Sequence, residues 1–250
     1  MRLCPKFIAL SIFLAVGTAE AQRLSSTLEG DVRPAKVQEE LEKVESMLLR
    51  GKWKAGLRYA TTLTEIVVGR MWRGREIRSM LTDLVVARAI AEANLGRRDE
   101  AVWHWHLAQN LSFRVRQRDL TPYGEAAKLL YEHPLRALGE VPPPFVVPES
   151  YPGGPRLTSP VRPEMHSIPE VVNNTGAALE GSGDFHVEIL IDETGQFQHP
   201  VVISTHLHPI ILYTSLEWLR RLPRFGPAKF EGEPVDHLEK ITVRFEVSRW

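Results

Sequence analysis

Val187-Glu188-Ile189-Leu190-Ile191-Asp192-Glu193-Thr194-Gly195-Gln196-Phe197 is the stretch that decides the fold. Its first five residues are apolar except for Glu188, as a buried or half-buried strand requires. Asp192-Glu193-Thr194-Gly195 is a turn signal, with Gly195 free to take positive φ. Phe197 to Ile203 reads as the returning strand, and Pro200 within it points to an edge or a bulge, because proline brings no N–H to a ladder. Pro209 to Leu222 reads as a helix. The chain then closes with Ile241, Val243, Phe245 and Val247 alternating against Thr242, Arg244 and Glu246, the pattern of a half-exposed strand. Strand, strand, helix, strand describes a small α+β unit with its helix on one face of a three-stranded antiparallel sheet.

Upstream, from about Pro34 to Pro134, the period is helical. Val37, Leu41, Val44 and Leu48 recur at three and four residues, and Gly51 is placed as a helix stop. The pattern resumes from Trp53 to about Val68. It runs again through Ile77, Leu81, Leu84, Ala87, Ala91 and Leu95 to Gly96. Another helix starts near Asp99, with Ala101, Trp105 and Ala108 facing inward. Thr121-Pro122 predicts a last short helix, a cap followed by proline, ending before Pro134. Residues 49–56 align loosely with 95–101: a helix end, a glycine turn, and a helix opening with a small residue. This resembles the tetratricopeptide (TPR) helix-turn-helix unit, although Gly51 and Gly96 stand 45 residues apart, not the regular 34. A generic helical bundle explains the same pattern.

Between these regions, residues 141–164 hold eight prolines. Such a segment forms neither helix nor central strand. It predicts a semi-rigid spacer and a first site of proteolysis. At the other end, Arg2 and Lys6 precede the apolar run Phe7 to Val16, and Ala19-Glu20-Ala21 fits a small-x-small cleavage site. The reading is a signal peptide over residues 1–21, with Gln22 as the new N-terminus and a periplasmic or secreted product. The apolar run is short against the roughly 20 residues that span a bilayer. Cys4, the only cysteine, would leave with the signal, so the mature chain would have no disulfide and no thiolate metal ligand.

The strand–turn stretch 187–197 looks like the opening hairpin of TonB C-terminal domains. Leu216, Trp218 and Leu219 sit where that family has its helix. Phe225-Gly226-Pro227-Ala228 resembles its aromatic-x-Pro-Ala turn, Gly232-Glu233-Pro234-Val235 its Gly-x-Pro-Val step, and Ile241 to Val247 its final strand. The resemblance covers about residues 160–250. The expected fold class is therefore α+β: TPR-like all-α hairpins over residues 34–134, the linker over 141–164, and a TonB-C-like domain over 165–250. The resemblance implies protein binding, with a partner peptide adding beside Ile241, Thr242, Val243, Arg244 and Phe245. Energy-transducing members resemble one another in an uncleaved membrane helix bearing Ser and His. In this chain Ser11 falls in the apolar run, and no histidine follows on that segment.

Chemistry offers little. Formal net charge is zero, which removes the electrostatic case for nucleic acid or anionic lipid. Arg70-Met71-Trp72-Arg73-Gly74-Arg75 is interrupted by Glu76 and reads as a solvated face. His104 and His106 diverge by roughly 200° on a helix and cannot share one metal. His206 and His208 have no evident third ligand, and the Asp192 stretch lacks the ligand spacing of a calcium loop. No Gly-x-Ser-x-Gly elbow or phosphate-cradling glycine loop occurs. Trp103 and Trp105 read as inter-helix packing. Asn110-Leu111-Ser112 and Asn173-Asn174-Thr175 are formal glycosylation sequons. The expectation is a non-enzymatic, exported adaptor with no catalytic residue, metal or cofactor. Its partners are other envelope proteins or peptides, or a second copy of the chain. It would touch the membrane only if the signal is retained, as in the alternative of a TonB-like energy transducer acting on outer-membrane transporters.

Overall fold

The computed structural model describes residues 33–70, 76–138, 181–203, 207–221, 227–230 and 233–247. Residues 1–21, read above as a signal peptide, the Pro-rich stretch, the basic run after Arg70, His206, and the Phe225-Gly226 and Gly232 positions of the TonB-like motifs fall outside them.

Four long helices come first: α1 (Pro34–Leu49), α2 (Trp53–Arg70), α3 (Ile77–Asn94) and α4 (Arg98–Leu111). Val37, Leu41, Val44 and Leu48 are all buried, so the apolar stripe of α1 is its core face. Gly51 and Gly96 end α1 and α3 at φ of +68° and +73°, left-handed conformations that a Cβ disfavours. α2 crosses α1 closely at Gly56, where a Cβ would come within 2.6 Å of Leu48 Cδ2.

The helix expected from Thr121 is broken into pieces. Single turns at Thr121–Tyr123 and Leu129–Glu132 flank a four-residue α5 (Glu125–Lys128). The cause is Gly124, whose φ of +90° and ψ of 174° lie far from helical values. The Asn94 side chain donates to Tyr123 O and ties this corner to α3.

The C-terminal unit is the expected α+β arrangement. Strands β1 (Gly181–Ile191), β2 (Phe197–Val202) and β5 (His237–Val247) form an antiparallel sheet in the order β2-β1-β5. Helix α6 (Pro209–Arg221) packs on it, and a separate small hairpin joins β3 (Ala228–Phe230) to β4 (Glu233–Val235). The β1–β2 turn is a hairpin turn held by Asp192. Its carboxylate accepts from Thr194 N (2.8 Å), Thr194 Oγ1 (2.7 Å) and Gln196 N (2.9 Å). Burial alone would raise the Asp192 pKa, but these donors and Gln198 outweigh it and lower it. β2 carries a bulge, because Glu188 faces Val201 while Leu190 faces Gln198. The extra residue falls at His199-Pro200, where His199 has a φ of +47°.

Phe185, Val187, Ile189 and Ile191 of β1 point into the core with Val243 of β5 and Leu212, Leu216 and Leu219 of α6. That core is continuous with the one built by α3 and α4 around Leu81, Val85, Trp105 and Leu107. The helices and the sheet therefore share one hydrophobic interior.

Candidate functional site: an open sheet edge on a buried anchor

The five residues expected to bind a partner lie on β5, an edge strand. It pairs with β1 alone among the described residues, along its eleven residues. In an antiparallel ladder, a residue's N–H and C=O point to the same side, and successive residues alternate sides. His186 O accepts from Ile203 N on the β2 side, so Phe185 and Val187 turn theirs toward β5. Their partners Val243 and Ile241 face inward along the sheet, which turns the backbones of Thr242 and Arg244 to the open edge. Val243 is buried, and Ile241 and Thr242 are half-buried. The Thr242 hydroxyl lies 3.0 Å from His186 Nδ1 across the ladder. Arg244 and Phe245 pair by backbone with Asp184 and Gly183.

The opposite edge is partly covered, at Pro200 and Val202. Asn110, at the end of α4, donates Nδ2–H to Pro200 O (2.7 Å) and accepts from Val202 N at Oδ1 (2.9 Å). One side-chain amide thus occupies two outward groups of β2 as a neighbouring strand would. Pro200 removes a further donor from the same edge.

A charge cluster anchors α6 to the helices. His104 of α4 is fully buried, with Glu92 Oε2 2.5 Å from Nδ1 and Glu217 Oε1 3.1 Å from Nε2. An imidazole donates at both nitrogens only as imidazolium, so this placement suits a cation between two carboxylates. Arg88 of α3 donates to Tyr213 Oη (2.6 Å) and stands 3.7 Å from Glu217. Burial would raise the Glu217 carboxyl, but the His104 hydrogen bond and the His104 and Arg88 charges hold it down at about 2. Burial first, then Glu217, pushes the Tyr213 phenol up. Two cations and two carboxylates balance, which is the condition for tolerating buried charge. Arg78 adds a further tie, donating to Leu111 O (3.0 Å) and Leu207 O (2.9 Å).

The other described histidines and tryptophans singled out in the sequence lie outside this cluster. His106 lies against His199, and His208 Nδ1 accepts from Ile210 N at the start of α6. Trp103 and Trp105 are buried, the latter edge-on to Tyr131. Among the described residues, no group of three or more His, Cys, Asp or Glu is placed to hold a metal ion. None of their helices is long and apolar enough to cross a membrane.

Glu92, His104, Glu217 and Asn110 are not foreseeable as a group. Glu217 lies 113 positions from His104, and Pro200 and Val202 lie 90 and 92 from Asn110; only Glu92 and His104, 12 apart across the α3–α4 turn, are near in sequence. No family model, curated protein or solved structure matches this chain.

Proposed function

We propose that this chain is an exported protein-binding adaptor that captures an extended peptide segment along β5. The observation that carries this reading is the asymmetry of the sheet: β5 leaves Thr242 and Arg244 backbone groups outward, while Asn110 and Pro200 cover the β2 edge. A peptide added there would gain main-chain hydrogen bonds from the strand and selectivity from alternate side chains. The resemblance of residues 160–250 to TonB C-terminal domains supports the same mode. The partner is a segment of another envelope protein.

Proline at Thr242 or at Arg244 tests it, since each removes one outward donor and none that pairs with β1. Crosslinking in cells should capture less partner with either variant, while circular dichroism of the purified chain stays unchanged. Undiminished capture by folded variants would overturn the edge as the binding site. Sedimentation of the purified chain separates the remaining occupant, because a dimer that dissociates on the same substitutions would mean that a second copy takes the edge. Export has its own test. The intact mass of the exported protein should begin at Gln22, whereas a full-length species resisting carbonate extraction would sustain the anchored reading.

A further inference from the structure

Where β2 meets α4, basic groups lie beside the Asn110 hydrogen bonds. His106 is fully buried, and although the backbone of His133 beside its ring favours a proton there, burial outweighs it. Its ring lies 4.4 Å, centroid to centroid, from that of His199 at the β2 bulge. Gln109, one helical turn on, holds the segment after α5 against α4 by donating to His133 O (3.2 Å) and accepting from Leu135 N (2.9 Å). That segment brings His133 and Arg136 to the same place. Glu188 of β1 is paired to Arg136, and Arg98 and Glu132 act on His133 with opposite signs. Two neutral rings pack here at little cost. A proton on either one adds a charge facing Arg136 and His133, with the Glu188 carboxylate already engaged.

We propose that the His106–His199 contact is an acid-sensitive latch: a proton on either ring detaches β2 from α4 and uncovers the β2 edge that Asn110 otherwise occupies. A second strand edge would then open in acid, whether or not β5 binds a peptide.

The sign follows from the burial. Desolvation first, then the neighbouring basic groups, lowers His106 well below its ordinary value and His199 to about 4, and His133 is lowered as well. Freed rings return to roughly 6.5. The docked state favours neutral rings, so docking is complete above roughly pH 6.5 and is lost as pH falls from there toward about 4. Glu217 stays ionised down to about 2, so its carboxylate holds the α6 anchor through that window.

Amide exchange at Val202 in the full chain, corrected for the intrinsic pH dependence of exchange, reads the latch. Protection should fall about tenfold or more between roughly pH 7 and pH 4.5. The double variant His106→Phe with His199→Asn removes both titrating rings, and asparagine tolerates the positive φ at position 199. Its protection should change less than about threefold over the same range. An equal loss in the variant, or unchanged Val202 protection in the wild type, overturns the latch. Should the variant not fold, the His199 ring resonance of the wild type decides: it should titrate together with the loss of Val202 protection. A ring titrating near its ordinary value while Val202 stays protected would overturn the proposal.

Discussion

Single side chains decide how the two parts of this molecule meet. Glu217 of α6 joins the buried charge cluster across the molecule, since it stands beside both His104 and Arg88. Glu217→Gln should destabilise the chain by about 3 to 5 kcal/mol, because it leaves two buried cations facing one carboxylate. Urea unfolding at neutral pH checks this, and a loss below about 1 kcal/mol would mean the cluster is solvated in solution. Asn110 acts through shape. Asn110→Ala strands the Val202 N–H and the Pro200 C=O and should cost about 1 to 3 kcal/mol. Asn110→Asp still accepts from Val202 N but sets a carboxylate oxygen against Pro200 O, so it should be no better than alanine. None of this is legible in the sequence alone. There, Asn110 reads as a sequon and His104 as a polar residue on a helix with Ala101, Trp105 and Ala108 inward. In the fold, Val102, Trp103, His104, His106 and Leu107 are buried as well. A periodicity argument finds one buried face, and α4 has a second because β2 and α6 cover it from about a hundred residues away.

Elements are more legible than side chains, and for a physical reason. The period-two pattern of Ile241 to Val247 and the Asp192–Gly195 turn are local signals, and both produce the strands and hairpin expected of them. β1 and β5 nevertheless run longer than their apolar cores. Polar residues such as His237, Glu239 and Lys240 extend the ladder only because β1 is there to pair with them. Pro200 announces an edge or a bulge, and β2 has both. The helix expected after Thr121 does not form as one piece, because Gly124 interrupts it three residues past its start signal. Two glycines give a test with opposite signs. Gly124→Ala forces a Cβ onto a φ of +90° and should cost about 1 to 3 kcal/mol. Gly69, within α2, has nothing within 4 Å of an added Cβ, so Gly69→Ala should stabilise by about 0.5 to 1 kcal/mol. Urea midpoints that move in the same direction for both would contradict either the helical conformation of Gly69 or the left-handed break at Gly124.

The molecule as a whole is joined by more than its chain. Helices and sheet share one apolar core, the Asn110 amide clamps β2, and the Arg88–Glu217–His104–Glu92 cluster and Arg78 tie α6 and its approach to α3 and α4. A Pro-rich spacer by itself suggests two beads that separate when it is cut. The contacts argue instead that the two parts stay together when the chain between them is cut. A single protease nick within residues 141–164 should therefore give two fragments on a denaturing gel but one species on a sizing column at neutral pH. Thermal unfolding of the uncut chain should likewise be one cooperative transition, since one buried cluster runs through both parts. The nicked complex is the more sensitive probe, because association then depends on concentration and on each contact across the junction. Lowering the pH from about 7 toward about 4.5 should loosen it first at β2, where the His106–His199 contact carries the acid sensitivity. Glu217→Gln should loosen it at every pH in that range. Fragments that part on the column at neutral pH would show that the shared core is too weak to hold without the tether, and would return the molecule to two independent domains.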